Sequence, residues 1–206
     1  MSPRPYRLGK RQAATDHTRT AILEATRALL ATPEGLNGFS LDAVAKQAGV
    51  ARMTIYYQFE SKVGLLEALF DDLADRGQLM RLAHVFREPD PVTALTGFIE
   101  VFCHFWASDP LVLRRLQALS VLDPELDQAL TARGNRRREG VSTLLERLSA
   151  ARGRPTTDDL PEITDQVLML TSFEAFDALA TADHGHAAAS ISIRRLVWAA
   201  LGLADS

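Results

Sequence analysis

The chain has 206 residues, 47% of them hydrophobic and 24% charged, with a net charge of −3. Those proportions fit one or two globular domains that bury a core without disulfides. Cys103 is the single cysteine, which excludes a disulfide framework or a multi-cysteine zinc site within the chain and points to a reducing, cytoplasmic home.

The opening MSPRPYRLGKRQAATD is basic but lacks the apolar stretch of a secretory signal. The longest apolar-looking run, LTGFIEVFCHFWA, is too short to span a bilayer and is interrupted by Glu100 and His104. Neither a membrane nor a secretory destination is expected. Charge is unevenly placed. Residues 1–62 carry nine Lys/Arg against five Asp/Glu, whereas residues 63–206 carry fourteen against twenty-one. A basic N-terminal third on an acidic remainder fits a local module for a polyanion.

Residues 1–15 hold Arg4, Arg7, Lys10 and Arg11, no acid, and two prolines, and are expected to form a flexible arm. From Asp16, a good helix cap, Ile22, Ala25, Thr26 and Leu29 follow at helical spacing until Pro33 and Gly35. Ser40 caps a short second helix, LDAVAKQA, with Asp42 in its first turn, and Gly49 ends it. Glycine there supplies the left-handed conformation of a tight turn. The next stretch, VARMTIYYQF, mixes aromatic and β-branched residues that are poor helix formers. It nevertheless completes a helix-turn-helix if Val50 fills the turn and Ile55 and Phe59, four apart, anchor the second arm. Arg52, Met53, Thr54, Tyr56 and Tyr57 then fall on the outer side.

A helix set in a DNA major groove needs a long donor for base edges and short donors for phosphate, and apolar groups there meet thymine methyls. Arg52 suits guanine O6/N7, Met53 and Tyr56 suit bases or methyl groups, and Thr54, Tyr57 and Lys62 suit phosphate oxygens. Ser40 completes the expected DNA-facing set. The plain alternative is that both tyrosines pack on neighbouring helices.

A longer helix is expected from Ser61 to about residue 86, broken by REPDP. Further helices are expected over 92–107, 110–121, 124–151, 160–181 and 188–203, separated by turn-rich segments. With no alternating strand and no glycine-rich phosphate loop, the fold is expected to be all-α: residues 16–62 a DNA-binding domain and 63–206 a larger helical domain.

The segment GLNGFSLDAVAKQAGVARMTIYYQFESKVGLLEAL, with the preceding RTAILEATRALLA, resembles the N-terminal DNA-binding domain of the TetR family of transcriptional regulators. Gly35, Phe39, Ser40, Ala45, Gly49, Val50, Tyr56, Phe59, Ser61 and Lys62 match its pattern in order. Asp42 departs from it, standing where relatives often carry a base, and is assigned to helix capping. The resemblance implies a homodimer built from the last two long helices and a small-molecule pocket among the C-terminal helices.

Ile163, Val167, Leu170, Val197, Trp198 and Leu201 lie on apolar stripes wider than one core-facing side requires, and are the expected dimer residues. Phe102, Phe105, Trp106, Arg115, Met169, Phe173 and Glu174 are the candidate pocket residues, with plain core packing and surface charge as the bland readings. Adjacent Cys103 and His104 diverge on a helix, His184 and His186 fit a solvated loop, and the run Arg136–Arg138 fits a solvated face, so neither a metal nor a cofactor is expected. No catalytic constellation emerges. The function expected is a ligand-responsive regulator, a repressor of a palindromic operator. The rivals are a regulator of the same fold without an effector and a helical enzyme with an incidental helix-turn-helix.

Overall fold

A computed structural model describes residues 5–181 and 185–203, with side chains described from Ala13 onward. Among these residues there is no strand, and the fold is all-α. No described helix is long and apolar enough to cross a membrane. The chain divides into two compact units. One comprises the described residues up to Asp72 together with Leu111–Gln128; the other comprises Leu73–Pro110 and the described residues from Ala129. Residues 111–128 therefore group with the N-terminal residues.

In the first unit, α1 (Pro5–Leu30) packs on α2 (Leu41–Ala48), which meets α3 (Arg52–Phe59). The first helix starts at Pro5, not at Asp16, so the segment expected as an arm is helical from there on, and residues 1–4 lie outside the described residues. Proline suits a first helical position, and Arg, Lys, Gln and Ala beyond it are strong helix formers with no capping demand at Asp16. Ile22, Leu23, Ala25, Thr26 and Leu30 are buried along its inner face. The Thr26 hydroxyl donates to the Ile22 carbonyl at 2.8 Å, which lets a polar group sit in that core. Within this unit, Val112, Leu113, Leu116 and Leu119 of α7 (Pro110–Leu122) are buried.

In α4 (Lys62–Arg76), Leu65, Leu66, Leu69 and Leu73 are buried at helical spacing. The helix ends there instead of running on to residue 86. A Cβ on Gly77 would come within 2.6 Å of the Phe105 ring, and Gln78 follows at φ 58, in the left-handed region. A 3₁₀ turn (Leu79–Arg81) and the short α5 (Leu82–Val85) lead to α6 (Pro91–Ser108). Asp90 caps α6, its carboxylate accepting from the Thr93 N–H at 2.8 Å, and those bonds hold its carboxyl below the usual range.

The remaining helices of the second unit are most of α8 (Pro124–Arg152), then α9 (Leu160–Leu170), α10 (Phe173–Leu179) and α11 (Gly185–Ala200). The helix expected over 160–181 is two helices. At the break the Thr171 carbonyl accepts from the Trp106 indole N–H at 3.0 Å, and Ser172 caps α10 by accepting from the Ala175 N–H at 3.1 Å. A tertiary bond and a local cap together outcompete helix continuity.

Gly49 has φ 67, and nothing lies within 4 Å of where its Cβ would be, so backbone conformation alone demands glycine. Gly49→Ala is expected to lower stability by about 1–2 kcal/mol, the left-handed penalty of an L-residue, in a urea unfolding series.

Candidate nucleic-acid interface

The site begins with the local chemistry of two short helices. Ser40, in extended conformation, accepts from the Ala43 N–H at 3.1 Å and so starts α2. The N–H groups of Gly49 and Val50 return to the carbonyls of Lys46 and Ala45 and close it. This double return is the glycine-terminated helix end that the sequence signals. Leu41, Val44 and Ala45 of α2 are buried, as are Ile55 and Phe59 of α3. One turn of separation between Ile55 and Phe59 fixes the rotation of α3 about its axis, because both side chains must point inward. The Phe59 ring is covered on one side by the Arg19 guanidinium, 4.4 Å from its centre, whose Nη1 donates to the Gln58 carbonyl at 3.0 Å.

That rotation leaves Met53 72% and Tyr57 87% exposed. Arg52 is also exposed, while Thr54 and Tyr56 are half-buried. The expectation that both tyrosines face outward is thus met fully by Tyr57 and in part by Tyr56. Arg52 is not free. Its Nη1 donates to both Asp42 carboxylate oxygens, at 3.0 and 3.2 Å, and its Nη2 donates to the Tyr56 hydroxyl at 3.2 Å. The Tyr56 bond first, and the Asp42 charge after it, raise the guanidinium above its ordinary pKa. Asp42 therefore does more than stand in the first turn of α2, where Ser40 supplies the cap. It clasps the cation at the start of α3. An acid on α2 and a base opening α3 are the signal that carries this contact, and reading Asp42 as a capping residue passes over it.

Between α3 and α4, Glu60 takes φ 65, with its N–H bonded to the Tyr56 carbonyl at 2.8 Å and the Ser61 N–H to the Phe59 carbonyl at 2.7 Å. Such backbone in a non-glycine residue stores about 1–3 kcal/mol. The tight turn delivers Ser61, whose Oγ accepts from the Gly64 N–H at 2.9 Å, to the start of α4. Lys62, the first residue of α4, is half-buried, 5.8 Å from the Phe39 ring centre and 3.9 Å from the Asp123 carboxylate. Both longer cations of the expected DNA-facing set thus rest beside an acid.

The other expected residues do not form one site. Phe102, Trp106 and Phe173 join in the second unit, with ring centres 5.8 Å apart for Phe102–Trp106 and 5.6 Å for Trp106–Phe173. Phe105 stacks beside Trp106 at 4.5 Å. Met169 and Glu174 are exposed, and Arg115 belongs to the first unit, where its Nη2 reaches the Pro33 carbonyl at 3.5 Å. Of the expected dimer residues, Val167, Val197, Trp198 and Leu201 are buried within their own unit, and Ile163 and Leu170 are half-buried. The apolar side chains exposed on those helices are Met169 at 63%, Ile191 at 50% and Leu196 at 45%. A wide apolar stripe reveals that a helix has two contact sides without saying which is taken within the chain. His104 is exposed beside buried Cys103, His186 is exposed, and His184 lies outside the described residues. Burial raises the Cys103 thiol pKa, opposed by a hydrogen bond with Ser190.

Arg137, expected on a solvated face, is the largest departure. Its guanidinium lies 4.7 Å from the Phe102 ring centre, Nη2 donates to the Leu168 carbonyl at 3.1 Å and to the Thr171 hydroxyl, and burial pushes its pKa down to about 10. Arg136 is exposed, and Arg138 pairs with Asp165. The signal was in the spacing: position 137 opens the stripe that continues through Val141, Leu144, Leu145 and Leu148, all fully buried.

An all-helical chain with an N-terminal helix-turn-helix whose second arm shows a cation and aromatic rings to solvent is of the class of helix-turn-helix proteins. Residues 22–69 match the model of bacterial regulatory proteins, tetR family. The chain is similar to an HTH-type transcriptional regulator AlkX of Mycobacterium tuberculosis, 34% identical over 55% of this chain and 53% of that one. It is also similar to an EthR regulator of Mycolicibacterium smegmatis, 35% identical over 52% of this chain and 50% of that one. The chain thus spans about half the length of the curated relatives it matches. A TetR-family structure from a Rhodococcus species aligns with a TM-score of 0.68 at 20% identity, covering 90% of this chain and 99% of that one. One from Haloarcula marismortui aligns with a TM-score of 0.70 at 15% identity, covering 91% and 97%. The N-terminal module thus matches the family's model, and the chain carries the fold of solved TetR-family structures.

Ile55→Ala is expected to cost about 2–5 kcal/mol, as for other large-to-small changes in a closed core. Tyr57→Ala is expected to stay within about 0.5 kcal/mol because its ring touches little. Urea unfolding of the two variants measures whether α3 is rotated as described.

Proposed function

We propose that this chain is a DNA-binding transcriptional regulator that acts as a homodimer on a palindromic operator, repressing until a small molecule releases it. The observation carrying the proposal is the outward face of α3, where Arg52, Met53 and Tyr57 stand exposed on a helix whose Ile55 and Phe59 are buried. Arg52, at the N-terminal end that enters a major groove in helix-turn-helix proteins, reads guanine; Met53 and Tyr56 contact bases or methyl groups. Thr54, Tyr57, Lys62 and Ser40 hold phosphates, with the N–H groups at the start of α4 beside them. Two-fold symmetry sets the two copies of α3 in successive major grooves roughly 34–36 Å apart.

In this reading the dimer forms through the faces of α9 and α11 that leave Met169, Ile191 and Leu196 exposed. The effector acts through α4, which begins at Lys62 and continues past Asp72 into the second unit. A shift of that helix displaces Lys62 from phosphate, and a coupling of about 1–3 kcal/mol suffices for a usual allosteric response. The similar regulators from Mycobacterium tuberculosis and Mycolicibacterium smegmatis are described as transcriptional regulators, which supports a regulator over an enzyme.

Fluorescence anisotropy with fragments selected from the source genome tests this reading. Arg52→Ala is expected to weaken binding about tenfold or more and to relax base preference at one position, as loss of a guanine contact does. Lys62→Ala is expected to weaken all sequences alike and to reduce the slope of log K against log salt by about one. Asp42→Asn removes the acid that competes with DNA for Arg52 and is expected to tighten binding, most of all to non-cognate duplex at low salt. Retention of every fragment by Arg52→Ala and Tyr56→Ala at wild-type affinity would remove α3 as the reading helix. Ile191→Asp or Leu196→Asp is expected to yield monomers in sedimentation experiments.

A further inference from the structure

Arg137 is the least economical residue in the second unit. It opens the buried stripe of α8 among Val141, Leu144, Leu145 and Leu148, and its named acceptors, the Leu168 carbonyl and the Thr171 hydroxyl, are both neutral. Its Nε is shielded from solvent and has no acceptor. Thr164 Oγ1 is the other buried side-chain oxygen or nitrogen without a partner among the described residues. Positions 164, 168 and 171 share one face of α9 and its end, and Arg137 bonds to the Leu168 carbonyl and the Thr171 hydroxyl, so both bare groups belong to the seam between α8 and α9. Phe102 lies under the guanidinium and begins an aromatic series that runs on through Trp106 to Phe173. A tether between α8 and α9 needs only the two bonds to Leu168 and Thr171; it leaves the bare Nε and the bare hydroxyl without use.

We propose that Arg137 and Thr164 form the anchoring end of a binding site for an apolar monocarboxylate, a molecule with one carboxylate on an alkyl or aryl body lying against Phe102, Trp106 and Phe173. The proposal rests on the ligand-responsive reading above and names the chemistry of the effector. A guanidinium supplies several N–H donors in a plane that matches a carboxylate, and the ion pair so formed is neutral, as an apolar surround requires. The charge count sets the class. Arg136 is exposed and Arg138 is engaged with Asp165, so Arg137 is the one cation of the run left to face an anion, and the negative influence of Glu174 disfavours an anion of more than one charge. A phosphate dianion would remain uncompensated, and a neutral ligand would leave the guanidinium as it is. The Thr164 hydroxyl donates to the second carboxylate oxygen.

The 206-residue chain is titrated calorimetrically with hexanoate, decanoate and 4-phenylbutyrate and with the methyl ester of each. At least one acid is expected to bind about tenfold or more tightly than its ester, because the ester cannot form the charged bond. Arg137→Met is expected to bring the acid down to the affinity of the ester. Thr164→Val, of nearly the same shape, is expected to weaken the acid several-fold and leave the ester unchanged; it carries the comparison alone if circular dichroism shows Arg137→Met unfolded. Acids that bind no better than esters, or an acid preference that survives these substitutions, would overturn the proposal. If a neutral compound both binds and releases DNA, the carboxylate site falls while the ligand-responsive reading stands. If the acids bind as expected without changing DNA retention, the site stands and the reading of its role falls.

Discussion

The burial of Ile55 and Phe59 is the constraint on which the rest depends. An eight-residue helix has little stability of its own, and α3 carries β-branched and aromatic residues that weaken it further. Its two inward side chains supply what propensity withholds, and being one turn apart they also leave a single rotational setting. Everything offered to solvent by Arg52, Met53 and Tyr57 follows from that setting. Gly49 before the helix and Glu60 after it, both at positive φ, confine α3 to a short rod between two sharp turns. The stability of the core and the display of the outer face are one fact seen from two sides.

Electrostatics adds a second layer. Arg52 rests on Asp42 and Tyr56, and Lys62 rests near Asp123. An exposed ion pair contributes little to stability, so these acids matter more for what the cations can do next. Each must leave, or share, a carboxylate to meet a phosphate or a base. Under the proposed DNA-binding role, the exchange would cost little on cognate DNA, where geometry replaces the lost bonds, and would weigh against loose attachment elsewhere, where only diffuse charge is gained. The modest basic surplus of the N-terminal third is in keeping with a surface that restrains its own charge.

The parts legible in the sequence were those governed by local chemistry. Ser40, Gly49 and the spacing of Ile55 and Phe59 announce the two-helix corner because caps, left-handed turns and helical period act over a few residues. Helix ends set by distant groups were not legible: α4 stops where Gly77 meets Phe105, and α9 stops where Trp106 takes the carbonyl of Thr171. The same limit explains Val167, Val197, Trp198 and Leu201, whose apolar stripes were visible but whose burial within their own unit depends on which helix lies opposite. Arg137 shows how a residue type can mislead: within a run of three arginines it reads as solvated, although its register with Val141 and Leu148 places it inward.

Hydrogen exchange of the 206-residue chain, alone and bound to the genomic fragment it retains most tightly, reads out whether α3 is the helix that meets DNA. The expected result is that DNA slows exchange of the backbone amides through Arg52–Tyr57 and at Ser61 and Lys62, along the proposed DNA-facing side of α3 and the start of α4. Unchanged exchange across α3, with protection appearing on other helices, would contradict it.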